Sequence, residues 1–143
     1  MIKQLDLSYL PEILKLLDDH GLPVKDIDLT HQKFWGLFHE GQMTGIGALE
    51  IKGDFALLRS LAIQQKYQNK GYGNQVLNTL LAASGRMGIK QLYLLTETAS
   101  PFFLRNNFIK IDRNMVPKEI LDTEEFKSIC PSTAICMTYN IKS

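Results

Sequence analysis

Apolar positions along the chain change their period several times, and each change predicts an element. Leu5 and Leu7 flank Asp6 and predict the close of a short first strand. Leu10, Ile13, Leu14 and Leu17 then repeat at helical spacing behind Ser8, whose hydroxyl suits an N-cap, and Gly21 and Pro23 end that helix. A short helical turn is expected over residues 24–29. Runs of strand character follow at 33–39, 43–51 and 55–63, separated by Glu40-Gly41-Gln42 and Lys52-Gly53-Asp54, which predicts an antiparallel meander. Val76, Leu77, Leu80, Leu81 and Met87 restore the helical period and predict a helix over 73–87 capped by Gly88. A short strand at 91–96, a helix at 100–106, a strand at 108–112, a polar helical stretch at 117–128 and a last strand at 133–141 complete the order.

This order is α+β. A strand, a helix and a second strand in succession predict one right-handed crossover with parallel strands inside an otherwise antiparallel sheet. No linker or repeat divides the 143 residues, so one domain over 1–143 is expected. Sixteen basic and fifteen acidic residues give a net charge of +1, which provides no basic stripe for nucleic acid. No apolar run is long enough to span a bilayer and the start lacks the features of a signal peptide, so a cytoplasmic address is the expectation. Cys130 and Cys136 are then expected to be reduced.

The most telling segment is Gln68-Asn69-Lys70-Gly71-Tyr72-Gly73, between the strand ending at Ile63 and the long helix. A glycine-bearing turn there aims backbone N–H groups and the positive helix end at one place, which suits a phosphate or pyrophosphate. Alone, the Q-x-x-G-x-G spacing is equally the mark of a tight turn. A dinucleotide fingerprint needs different spacing, and a Walker A lysine would follow the glycines, whereas Lys70 precedes them.

With Leu61-Ala62-Ile63 before the turn and Phe102-Phe103-Leu104-Arg105-Asn106-Asn107-Phe108 after the next strand, the chain resembles the GCN5-related N-acetyltransferases. The resemblance implies a twisted, mixed and mainly antiparallel sheet between layers of helices. It also implies acetyl-coenzyme A as co-substrate and a small-molecule amine as acceptor. Backbone amides of Asn69, Lys70, Gly71, Tyr72, Gly73 and Asn74 would hold the pyrophosphate, with Gln68 also a cofactor-binding candidate, and Leu61, Ala62 and Ile63 would pair with the pantetheine arm. Phe103 and Asn106 fall on the cofactor side by the same likeness. The family often carries a glutamate base and a tyrosine acid where this chain has Leu57 and Phe103. A narrower likeness, through Leu57-Leu58-Arg59-Ser60-Leu61, residues 92–99 and residues 130–137, is to the small acetyltransferases of arsenic-resistance operons, whose substrates the motif does not name; the expected acceptor is a small amine bearing an acidic group, amino-acid-like or arsenical. A homodimer is left open.

Arg59 interrupts an apolar strand and needs an anionic partner. If 52–54 is a three-residue loop, Ile51 opposes Phe55 and Gly47 opposes Arg59, which places Arg59 on one face with Gly45 and Gly47 and Glu50 on the other. Two readings stay open: Arg59 as anchor for a substrate carboxylate, or Arg59 ion-paired to Glu50. Thr96 and Glu97 end the strand after the crossover, where ligands collect, and Glu97 is the candidate base or ammonium contact, with Glu50 a weaker one. Trp35 is a candidate pocket wall. Tyr93 is a minor candidate proton donor. His20, His31 and His39 lack metal-ligand spacing and are expected at the surface, and no metal is implied.

Overall fold

The computed structural model describes residues 1–129 and 133–141. The elements are β1 (Ile2–Leu5), α1 (Leu10–Asp19), β2 (Gln32–His39), β3 (Gln42–Lys52), β4 (Phe55–Ile63), α2 (Tyr72–Arg86), β5 (Gln91–Thr96), α3 (Ser100–Arg105), β6 (Ile109–Lys110), α4 (Lys118–Leu121) and β7 (Ile135–Asn140), with a single π-helical turn at Glu125–Ile129. The strands form one sheet in the order β1-β2-β3-β4-β5-β7-β6. β4 and β5 pair in parallel, and the other neighbouring strands pair antiparallel. The α+β expectation and its single crossover hold.

The two faces of the sheet carry different helices. Leu49, Leu58, Leu92 and Leu94 meet Val76, Leu77 and Leu80 of α2 and Phe103 of α3. On the other face Ile13, Leu16 and Leu17 of α1 pack on Phe34, Ile46 and Ala48, and Leu57, Tyr93 and Cys136 pack with Val116, Ile120 and Phe126. α2 sits close because Gly47 lies beneath it: a Cβ there would fall 2.8 Å from Leu80 Cδ1 and 2.9 Å from Val76 Cγ1. Gly47→Ala is therefore expected to overpack this contact and lower stability by about 1–3 kcal/mol in denaturant unfolding.

Several local expectations need correction. β1 starts earlier, and no side chain caps α1, whose N-cap is Tyr9; Asp6 instead caps the preceding 3-10 turn (Leu7–Tyr9), accepting from the Ser8 N–H at 3.0 Å. Residues 24–29 contain no helix, since Asp28 draws the Thr30 N–H (2.9 Å) and hydroxyl (2.6 Å) into a local turn. Residues 117–128 split into α4 and the π-helical turn, and the strand expected at 108–112 shrinks to β6.

The consequential correction is register. Lys52 opposes Phe55 across a two-residue loop in which Gly53 has φ +62°, so Arg59 opposes Ala48 and not Gly47. Arg59 and Glu50 thus share a face. The spaces above Gly45 and Gly47 are filled by Ile63, Leu37, Leu80, Val76 and Leu61, which leaves no ligand room there. Further along, Ile46 opposes Ala62, so Ser60 and Leu61 together face Gly47 in a β-bulge, with Ser60 at φ +60°.

Candidate functional site

The bulge re-aims the end of β4. Pairing with β5 covers only Phe55 with Gln91, Ala56 with Leu92 and Leu57 with Tyr93. Beyond it the strands diverge around a cleft of about 430 Å³, lined by Leu58, Arg59, Ser60, Leu61 and Ala62 on one side and residues 94–99 on the other. Phe103, Ala134 and the α1 corner at residues 20–23 complete the wall. The Gln64 N–H donates to the Thr44 carbonyl at 2.8 Å. Strand alternation therefore turns the N–H and C=O of Ile63 away from β3 and toward the divergence.

The turn into α2 lies just past this edge. Gly71 is the N-cap at φ +85° and Asn69 takes φ +64°, so an asparagine does here what its tolerance of left-handed backbone allows. The helix begins at Tyr72, and the first N–H recorded as bonded back into the turn is that of Gln75, to the Gly71 carbonyl at 3.2 Å. Among the described residues, no acceptor serves the N–H groups of Asn69, Lys70, Gly71, Tyr72, Gly73 and Asn74. That row of donors at a 15-residue helix's N-terminus fits an anion. Gly73 lets α3 approach, because a Cβ there would lie 3.3 Å from Phe102 Cε1.

Arg59 has company. Its Nη2 donates to Asp26 Oδ1 at 2.7 Å and its Nη1 to Asp26 Oδ2 at 2.5 Å, and Nη1 also reaches Glu50 Oε1 at 3.2 Å. Burial opposes the charge, but the bonds from Asp26 and the carboxylates of Glu125, Asp26 and Glu50 outweigh it and hold the guanidinium pKa above its ordinary value. Gln32 braces the same cluster, donating to the Asp26 carbonyl at 3.0 Å and to Glu50 at 3.2 Å. The ion pair with Glu50 exists, and the stronger partner, Asp26, came from a segment that looked like a helical turn.

The remaining candidates separate clearly. Thr96 Oγ1 accepts from the Ala99 N–H at 2.9 Å and so closes the turn leading into α3, while Glu97 is exposed on the cleft wall. Trp35 is packed in the α2-side core and Glu50 is under the sheet; neither lines the cleft. Phe103 does line it, presenting an apolar ring. Asn106 turns its amide to the Phe102 carbonyl at 2.9 Å. Tyr93 and Cys136 are buried together, and burial pushes the Tyr93 hydroxyl pKa up and the Cys136 thiol up to about 11. Cys130 lies outside the described residues.

Two histidines depart from the surface expectation. His20 Nδ1 lies 2.9 Å from the Leu16 carbonyl and Nε2 lies 2.8 Å from the Ile63 carbonyl. His39 stacks on Tyr67 at 4.6 Å and meets Tyr72 edge-on at 4.6 Å. Among the described residues, no group of three His, Cys, Asp or Glu side chains could hold a metal ion. No helix of the described residues is long and apolar enough to cross a membrane.

Residues 30–110, more than half of the chain, match the acetyltransferase (GNAT) domain family. The chain belongs to this family. Among curated relatives, the amino-acid acetyltransferase of Aeromonas salmonicida is 22% identical over 120 residues, covering 80% of this chain and 27% of that protein. An uncharacterized N-acetyltransferase of Chlorobaculum tepidum is 29% identical over 83 residues, covering 57% of this chain and 53% of that one. The chain therefore spans about a quarter and about half of these two relatives.

Solved structures agree on the fold. N-acetylglutamate synthase from Neisseria gonorrhoeae, complexed with coenzyme A and L-arginine, superposes with TM-score 0.82 at 19% identity over 100% of this chain and 33% of that one. A Mycobacterium tuberculosis protein in complex with CoA and NLQ gives 0.82 at 20% identity over 99% of both chains. The ribosomal-protein-S18-alanine N-acetyltransferase of Escherichia coli gives 0.76 at 19% identity over 100% of this chain and 94% of that one.

Proposed function

We propose that this protein is an acetyl-coenzyme A-dependent N-acetyltransferase acting on a small amine. The observation that carries the reading is the exposed edge of β4 at the β4–β5 divergence, continuous with the amide row of residues 69–74. An extended ligand with an anionic end fits that arrangement: its pyrophosphate meets the α2 N-terminus and its amides pair with β4. Coenzyme A has that chemistry, and it is present in the Neisseria and Mycobacterium structures of the same fold.

In this reading the neutral amine enters beside Glu97 and attacks the thioester carbonyl. A β4 backbone N–H, from Leu61 to Ile63, stabilises the developing oxyanion, and the thiolate leaves as coenzyme A. Glu97 takes the ammonium proton, directly or through water. Replacing it (Glu97→Gln) should reduce kcat/KM by about 10²-fold near neutral pH, with acetyl-coenzyme A affinity unchanged. Equal loss of cofactor affinity would assign Glu97 to binding instead.

The substrate class we favour is an amino-acid-like amine. Its support is the function named for the Aeromonas relative and for the Neisseria structure. Arg59 lends a carboxylate anchor no support while Asp26 and Glu50 hold it, so an acidic or arsenical substrate rests on the sequence resemblance. An amine panel including amino acids and their phosphonic and arsonic analogues, read by release of coenzyme A thiol, tests the activity and the class together. Leu57 in the core and Phe103 on the cleft wall favour one rival, a coenzyme A-binding module without turnover. Binding of coenzyme A with no thiol release across the panel would establish it.

A further inference from the structure

One hydrogen-bond arrangement at the cleft serves neither the fold of the sheet nor the chemistry above. The Ile63 carbonyl faces the β4–β5 divergence and accepts from Gln68 Nε2 at 2.8 Å, while His20 Nε2 lies 2.8 Å from the same oxygen. A carbonyl oxygen has two lone pairs, so these two side chains fill it when the His20 imidazole carries its proton on Nε2. Gln68 is exposed, on the turn before α2, and His20 is half-buried, at the C-terminal end of α1 and in the cleft wall. The two donors come from different elements, His20 lying 43 residues and Gln68 5 residues from Ile63 in sequence.

We infer that His20 and Gln68 are stand-ins for an amide of the acyl carrier, and that the carrier binds by displacing at least one of them from the Ile63 oxygen. The inference rests on the acetyl-coenzyme A reading above. It follows from the geometry of that reading: a pantetheine amide pairing with the last residue of β4 needs an acceptor there, and the acceptor is occupied. Displacement has a second consequence. His20 precedes Gly21, Leu22 and Pro23, which line part of the cleft, so releasing it from β4 frees the start of that segment as the carrier arrives.

His20 is a positioning residue in this account. Its half-buried ring also sits against the end of α1, with Nδ1 2.9 Å from the Leu16 carbonyl, so removing it costs fold stability. Stability and affinity should therefore move in opposite directions, which a purely structural role would not produce. In His20→Ala, coenzyme A should bind about three- to tenfold more tightly by calorimetry, the equivalent of one hydrogen bond no longer displaced, while Tm falls. His20→Gln, which can again donate to Ile63, should return affinity toward wild type. Unchanged or weaker coenzyme A binding in His20→Ala would overturn the inference. If that variant does not fold, Gln68→Ala is read by the same criterion. Failure of the wild-type protein to bind coenzyme A would instead defeat the functional reading on which this rests.

Discussion

Replacing Arg59 by methionine will lower the unfolding free energy by about 3–5 kcal/mol, the largest single-residue effect expected on stability. The side chain has no solvent exposure, and the Asp26 and Glu50 side chains are only 11% and 9% exposed. Methionine fills the volume but leaves the Asp26 and Glu50 carboxylates, with that of Glu125 also acting on the site, poorly solvated and without their shared cation. Asp26 also ties the α1–β2 connection to β4, so its release loosens the segment as well as the cluster. The loss belongs to the uncompensated charge and not to the value of the ion pair itself. Combining Arg59→Met with Asp26→Asn and Glu50→Gln should therefore recover much of the stability. Chemical denaturation of the single and triple variants checks this, and equal losses in both would contradict the electrostatic cause.

The largest effect on cofactor affinity short of removing the site is expected at Gly71. A side chain there meets nothing within 4 Å, so any cost of substitution comes from the backbone angle of +85° or from the ligand. Gly71→Val asks a β-branched residue to hold a left-handed conformation that costs even ordinary residues about 1–2 kcal/mol. The turn will relax toward negative φ, which redirects the N–H groups of Tyr72 and Gly73. Coenzyme A affinity should fall at least about tenfold, in line with 1.4 kcal/mol or more of lost anion contact. Gly71→Asn is the contrast, because Asn69 already holds φ +64° two residues earlier. Asn at 71 should retain most of the affinity, and if Val and Asn behave alike the backbone argument fails.

Much of this architecture could be read from residue patterns because it depends on local rules. The α2 stripe, the glycines that bracket that helix and the β2–β3–β4 meander depend on periodicity and turn chemistry, and they stand where expected. The Arg59 environment was not legible for two reasons. Lys52-Gly53-Asp54 allows a loop of two residues or three, and that one-residue difference exchanges the faces of β3 against β4. Asp26 lies 33 residues from Arg59, in a stretch whose apolar spacing suggested a helical turn. The bulge at Ser60 carries no glycine or proline to announce it. Nor does any sequence signal join His20 to Ile63, since the contact arises only after α1 has docked on the sheet. Local elements follow from local composition; the contacts that shape the cleft follow from register and docking.

The central claim is that the amide row before α2 and the diverging edge of β4 form one binding site for acetyl-coenzyme A. Amide-resolved NMR titration of the isotopically labelled protein with coenzyme A tests it most directly. The account predicts saturable shifts concentrated at residues 61–63 and 69–74, with smaller ones at residues 20–23 across the cleft. Absence of saturable binding, or shifts clustered away from both the turn and β4, would contradict it.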